Sequence, residues 1–67
     1  MISYEPFWLT LSAGDETTYT LIHKYHISSS TLNRMRHNKD ISTVTIGKLC
    51  EILKCTVDEI LEYEPDK

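Results

Sequence analysis

Residues 17–38 read TTYTLIHKYHISSSTLNRMRHN, a pattern that predicts two short helices joined by a tight turn. The first helix covers about residues 18–25. In it, Leu21, Ile22 and Tyr25 recur at the three- and four-residue steps that place side chains on one helical face. This stretch therefore supplies both a packing surface and a change of chain direction, and we expect the rest of the chain to be organised around it.

The second helix is predicted from its cap. After a sharp turn through His26 and Ile27, Ser28 is a good N-cap, because its hydroxyl can accept from the free backbone N–H groups two or three residues on. The helix then covers about residues 29–37.

This second helix has one apolar and one polar face. Leu32 and Met35 lie one turn apart and point inward together with Ile27. The outward side carries hydrogen-bonding groups and positive charge, from Ser30, Asn33, Arg34 and His37, with Ser29 and Arg36 at its edges. Glu and Lys, which fill many solvent-exposed helix surfaces, are absent from it. The pattern favours a surface that binds a partner, and a merely solvated surface is the alternative.

The charge distribution singles out the same region. The formal net charge is −3, yet residues 17–39 carry four basic residues and no acidic one, and the segments at the two ends of the chain are acidic. A basic middle between acidic ends can present one side to a phosphate backbone while the other side repels it. Chance clustering of a few charges is the alternative interpretation.

Length and composition argue against several classes of function. A chain of 67 residues has a small core and little room for an enclosed substrate pocket. We therefore expect no enzyme activity, no cofactor and no small-molecule substrate. No apolar run approaches the roughly 20 residues that span a bilayer, and the N-terminus lacks a signal-peptide pattern. Two cysteines fit a reducing compartment, so we expect a soluble, cytoplasmic protein with no membrane partner.

These residues resemble the helix-turn-helix of the Cro/CI (lambda-repressor-like, XRE) regulators of bacteria and phages. The family pattern is roughly T-Q-x-x-L-A-x-x-x-G-(I/V)-(S/T), followed by x-x-T-(I/L)-x-x-(I/L/M)-x-x-(G/N). The matching positions follow without a gap at Thr17, Leu21, Ile27, Ser28, Thr31, Leu32, Met35 and Asn38. Residues 53–61, LKCTVDEIL, are similar to the family's closing motif. Thr18, Ile22 and His26 stand where the family usually has Gln, Ala and Gly.

The resemblance implies an all-α fold, a compact five-helix lambda-repressor-like DNA-binding domain in which residues 1–67 form a single helix-turn-helix domain. The expected helices cover about residues 5–13, 18–25, 29–37 and 43–54, with a fifth helix that opens at Thr56. His26 would occupy the left-handed turn position, which His tolerates better than most residues.

The resemblance also implies sequence-specific binding of double-stranded DNA by a transcriptional regulator, most often a repressor. The helix at residues 29–37 would lie in the major groove. The residues expected to contact bases are Ser29, Ser30, Asn33 and Arg34. Those expected to contact the phosphate chain are Thr18, Arg36, Asn38 and Lys39. A homodimer on paired half-sites is expected by analogy.

Two other functional classes stay open. The chain could keep this fold as a small protein–protein interaction module or antitoxin-like partner, with Trp8 or Tyr63 at the contact. It could also be a metal-sensing variant that uses His23 and His26. No matched set of ligands accompanies these histidines, so we expect no metal site. Continuous helical spacing would hold the two cysteines apart, and we interpret both as small core residues.

Overall fold

A computed structural model describes residues 1–65. In order along this part of the chain, the elements are β1 (Ile2–Ser3), α1 (Glu5–Ala13), α2 (Thr18–His23), α3 (Ser29–Arg36), α4 (Thr43–Leu53), a 3₁₀ turn (Val57–Glu59) and β2 (Glu62–Tyr63). The two short strands pair antiparallel, with Ile2 opposite Tyr63. Among residues 1–65, no helix has the length and apolar character needed to cross a membrane.

The predicted fifth helix is not confirmed. Thr56 and Glu59 do form the capping box that the sequence suggests, but they cap only one 3₁₀ turn. From Ile60 onward the chain extends toward the N-terminal segment, and the N–H of Glu64 donates to the carbonyl of Met1 at 2.7 Å. Strand pairing between the two ends of the chain therefore replaces the helix, and local periodicity carries no signal for such a distant partner.

The core draws on all four helices and on both terminal segments. In residues 1–65 the buried apolar side chains are Tyr4, Phe7, Leu11, Leu21, Ile27, Leu32, Met35, Leu49 and Ile60. Leu32 and Met35 are 1% and 0% exposed, which confirms the predicted inward face of α3. Full burial of such a side chain contributes about 1.5–3 kcal/mol, so rotating α3 to expose both would be costly.

Left-handed residues end three of the helices. His26, Asn38 and Lys54 have φ values of 61°, 55° and 54°, which confirms the backbone conformation expected at His26. At the end of α3, the N–H of Lys39 donates to the carbonyl of Arg34 at 2.9 Å. This bond, with Asn38 in the left-handed position, is the Schellman arrangement that satisfies the last carbonyls of a helix.

The reversal at Lys54 brings the two cysteines together. The N–H of Cys55 donates to the carbonyl of Cys50 at 3.0 Å. Burial raises the pKa of Cys55 to about 11, and the neighbouring Cys50 acts in the same direction. The angular separation expected for a continuous helix does not apply, because α4 ends before Cys55. Residues 1–65 contain no cluster of three His, Cys, Asp or Glu side chains able to hold a metal ion.

The two left-handed residues that flank α3 give a matched stability test. His26→Gly should raise the free energy of unfolding by up to about 1 kcal/mol, because glycine adopts φ near 60° without the Cβ penalty. Asn38→Gly should instead lower it by about 1 kcal/mol. Asparagine adopts the left-handed conformation readily, so glycine relieves little strain there, whereas loss of the side-chain oxygen removes the acceptor of the Tyr4 N–H at 3.1 Å. Urea denaturation measures both, and changes of the same sign would contradict the distinct roles of these residues.

Candidate nucleic-acid interface

The N-terminus of α3 is exposed to solvent and carries a side-chain cap. Ser28 Oγ accepts from the backbone N–H groups of Ser30 at 3.1 Å and Thr31 at 3.3 Å. The first turn of α3 has no acidic residue, and its last turn carries Arg34 and Arg36. The positive end of the helix dipole is therefore free of a fixed carboxylate, which suits an approaching anionic partner.

The four predicted base-contacting residues share the exposed side of α3. Ser29, Ser30, Asn33 and Arg34 are all exposed, while Leu32 and Met35 on the opposite side are buried. The hydroxyl oxygens of Ser30 and Ser28 are 2.6 Å apart and form a hydrogen bond. The side-chain amide of Asn33 has no hydrogen-bond partner within residues 1–65, so its donors and acceptor are available to a ligand.

Thr18 lies apart from α3, at the first position of α2, and is half-buried. Thr17 and Thr20 form a reciprocal capping box there. Thr17 Oγ1 accepts from the N–H of Thr20 at 3.2 Å, and Thr20 Oγ1 accepts from the N–H of Thr17 at 2.9 Å. This box leaves the N–H of Thr18 without an acceptor in the described part of the chain, at the positive end of α2.

The other predicted phosphate-contacting residues have unequal surroundings. The Arg36 guanidinium lies over the Trp8 ring, 5.1 Å from its centroid, so Trp8 is half-buried beneath a cation. Asn38 accepts from the N–H of Tyr4, as described above, and so has a structural role besides any contact with a ligand. Lys39 is exposed, and its ammonium has no partner in residues 1–65.

Asp40, in the segment between α3 and α4, lies against Arg34. Arg34 Nε donates to the backbone carbonyl of Asp40 at 2.9 Å, and Arg34 Nη2 donates to Asp40 Oδ1 at 3.2 Å. The Asp40 side chain is 97% exposed and that of Arg34 is 48% exposed. An acidic residue just after a basic helix end was the only sequence signal for this pair.

The family model for the Cro/C1-type helix-turn-helix DNA-binding domain matches residues 11–66. The chain belongs to this family. The match confirms the resemblance inferred from the sequence, and the four-helix structure is consistent with a helix-turn-helix fold. Residues 1–10 lie outside the matched range; they comprise the β1 strand, Tyr4 and the first six residues of α1, among them Trp8.

A solved structure supports the same classification. The crystal structure of the transcriptional regulator VanUg is similar to this Cro/C1-type domain with a TM-score of 0.85 and 28% sequence identity. The match covers 97% of this chain and 87% of that chain. No curated protein sequence matches the chain. Family and neighbour together make this a DNA-binding domain of the kind found in transcriptional regulators.

The contribution of the Ser28 cap to the free energy of unfolding should be measurable. Ser28→Ala should lower the free energy of unfolding by about 1 kcal/mol, because two N–H groups at the start of α3 lose their acceptor. Ser28→Asn is the matched control, since asparagine is an equally good N-cap and should restore most of the loss. Thermal or urea denaturation would contradict this assignment if alanine and asparagine had the same effect.

Proposed function

We propose that this chain binds double-stranded DNA sequence-specifically through α3 and acts as a transcriptional regulator, specifically a repressor. The observation that carries the proposal is the near-complete burial of Leu32 and Met35. With that face of α3 in the core, the opposite face with Asn33 and Arg34 must lie in solvent. A major groove about 12 Å wide admits a helix presented in this way.

The exposed side chains of α3 would contact base edges. The free amide of Asn33 can pair with adenine through two hydrogen bonds, and Arg34 can pair with guanine. Ser29 and Ser30 lie nearest the N-terminus of the helix, where their short side chains allow a close approach to the bases. Serine hydroxyls bond donors and acceptors alike, so these two positions would contribute less discrimination than Asn33 and Arg34.

The phosphate contacts would fix the position of α3 along the duplex. The N–H of Thr18 would donate to a phosphate at the positive end of α2. The exposed ammonium of Lys39 would form an ion pair with a second phosphate, and Arg36 and Asn38 would contact the sugar-phosphate chain nearby. Such contacts add affinity and orientation but carry no direct sequence information.

We propose that the domain works as a homodimer on paired half-sites, because one recognition helix reads only a few base pairs. The terminal sheet offers an apolar surface for the dimer contact. Ile2 and Tyr63 face each other across the two strands and are 37% and 66% exposed. Val57, in the adjacent 3₁₀ turn, is also exposed.

The same exposed apolar pair supports an alternative, a protein–protein interaction module or antitoxin-like partner that keeps the fold but does not bind DNA. Tyr63 suits this role better than Trp8, because Arg36 already covers part of the Trp8 ring. The two functions differ in salt dependence. DNA binding through phosphate contacts weakens steeply as salt rises, whereas a pure adaptor gives no duplex complex at any salt concentration.

Two substitutions separate base contacts from phosphate contacts. Asn33→Ala should cost about 1–3 kcal/mol of binding free energy and relax the preference at one base position. Lys39→Ala should weaken binding to all duplexes alike and lower the slope of log affinity against log salt by about one. Titration of a duplex selected from a random library, at several salt concentrations, measures both effects. If both variants bind as the parent does, this surface is not the DNA-binding face.

A further inference from the structure

Arg34 is held along one edge of its guanidinium group. Nε and Nη2 donate to the carbonyl and the carboxylate of the same residue, Asp40, at 2.9 Å and 3.2 Å. The planar guanidinium has five N–H donors in a rigid arrangement. The edge formed by Nη1 and the remaining N–H of Nη2 has no partner within residues 1–65, so Asp40 fixes the plane and leaves a two-donor edge open.

The loop that carries Asp40 is itself attached to the core. On one side, Asn38 accepts from the backbone N–H of Tyr4 at 3.1 Å. On the other side, burial raises the pKa of the Tyr4 hydroxyl, and the nearby backbone of Ile41 acts against that rise. Tyr4 is only 2% exposed, so it has little freedom to move. The carbonyl of Asp40 therefore lies between two anchored positions, and its bond to Arg34 Nε has a fixed direction.

An open edge with two parallel donors is complementary to guanine, whose O6 and N7 accept side by side in the major groove. A free arginine must lose rotamer freedom to make that pair, whereas an arginine already held by Asp40 loses less. We propose that Asp40 is a positioning residue that presents Arg34 to a guanine and so sets the preference for guanine at one position of the target. This proposal rests on the proposed DNA-binding function of α3.

A purely electrostatic role for Asp40 gives a different expectation. Its carboxylate is almost fully exposed beside a predicted DNA-binding face and would repel phosphates. If repulsion were its whole effect, removing the charge would raise the affinity for every duplex by the same factor. Discrimination among bases would then stay unchanged. The positioning role instead predicts a loss of discrimination, whatever happens to overall affinity.

The test compares base discrimination in the parent, Asp40→Ala, Arg34→Ala and the double variant, with one control variant. The probe is the duplex that the parent selects from a random library, together with versions in which each guanine is replaced in turn. Asp40→Ala should reduce the preference for one guanine by at least about fivefold. In the Arg34→Ala background the same substitution should leave discrimination unchanged, because the group it positions is gone. Asp40→Asn is the matched control, since it removes the charge but keeps an acceptor for Nη2 and should retain most of the preference.

An independent readout follows Arg34 in the free protein. The Nη2–H signal of Arg34 in ¹⁵N NMR should be protected from exchange in the parent and broaden in Asp40→Ala, because its acceptor is the carboxylate. The Nε–H signal should change less, because its acceptor is the backbone carbonyl that alanine keeps. Circular dichroism confirms that both proteins are folded. Uniformly raised affinity with unchanged discrimination would overturn the positioning role while leaving DNA binding by α3 intact. Loss of discrimination in Asp40→Ala that persists in the Arg34→Ala background would also overturn it. Absence of salt-sensitive duplex binding by the parent would overturn both proposals.

Discussion

The burial of Leu32 and Met35 is the constraint on which the rest of this structure depends. Both side chains are in the core, and the helical repeat then forces Asn33 and Arg34 to the outside. Turning α3 by a quarter of a turn would expose apolar side chains and bury groups that need hydrogen bonds, and both changes are unfavourable. The outward orientation of the polar face of α3 is thus a consequence of core packing.

Caps and side-chain contacts fix the two ends of α3. Ser28 caps its start, and Asn38, in the left-handed conformation, closes its end while bonding to the N-terminal segment through Tyr4. Trp8, also from the N-terminal region, lies under Arg36. The segment that precedes the family-matched range therefore contacts Arg36, the last residue of α3, and Asn38, just after the helix. In this domain the N-terminal residues help to place the side chains that we propose to contact DNA.

Sequence reasoning succeeded where the determining interactions are local. The bounds of α1 and the start of α3 follow from helical periodicity and from the Ser28 cap, and the left-handed His26 follows from the turn pattern. The prediction of the fifth helix was not confirmed, because pairing between two distant segments outweighs the local helix propensity. The strand pairing that replaces the fifth helix joins the two ends of the chain, and no periodic pattern encodes it.

In the candidate site, too, some features follow from the local sequence and others depend on the folded structure. The sequence alone placed Ser29, Ser30, Asn33 and Arg34 on one exposed face. The interactions of Arg34 with Asp40 and of Asn38 with Tyr4 needed coordinates, because each depends on how a loop folds back on a helix. The contact between the two cysteines depends on the left-handed Lys54, which helical spacing could not anticipate.

The most direct measurement of the central claim is a ¹⁵N NMR titration of the protein with a duplex selected from a random library. If core packing presents α3 to DNA, the amide signals of Thr18, Ser29, Ser30 and Asn33 should shift most, and those of Ile2, Val57 and Tyr63 should shift little. Shifts concentrated on the terminal strands, with α3 unaffected, would contradict the claim.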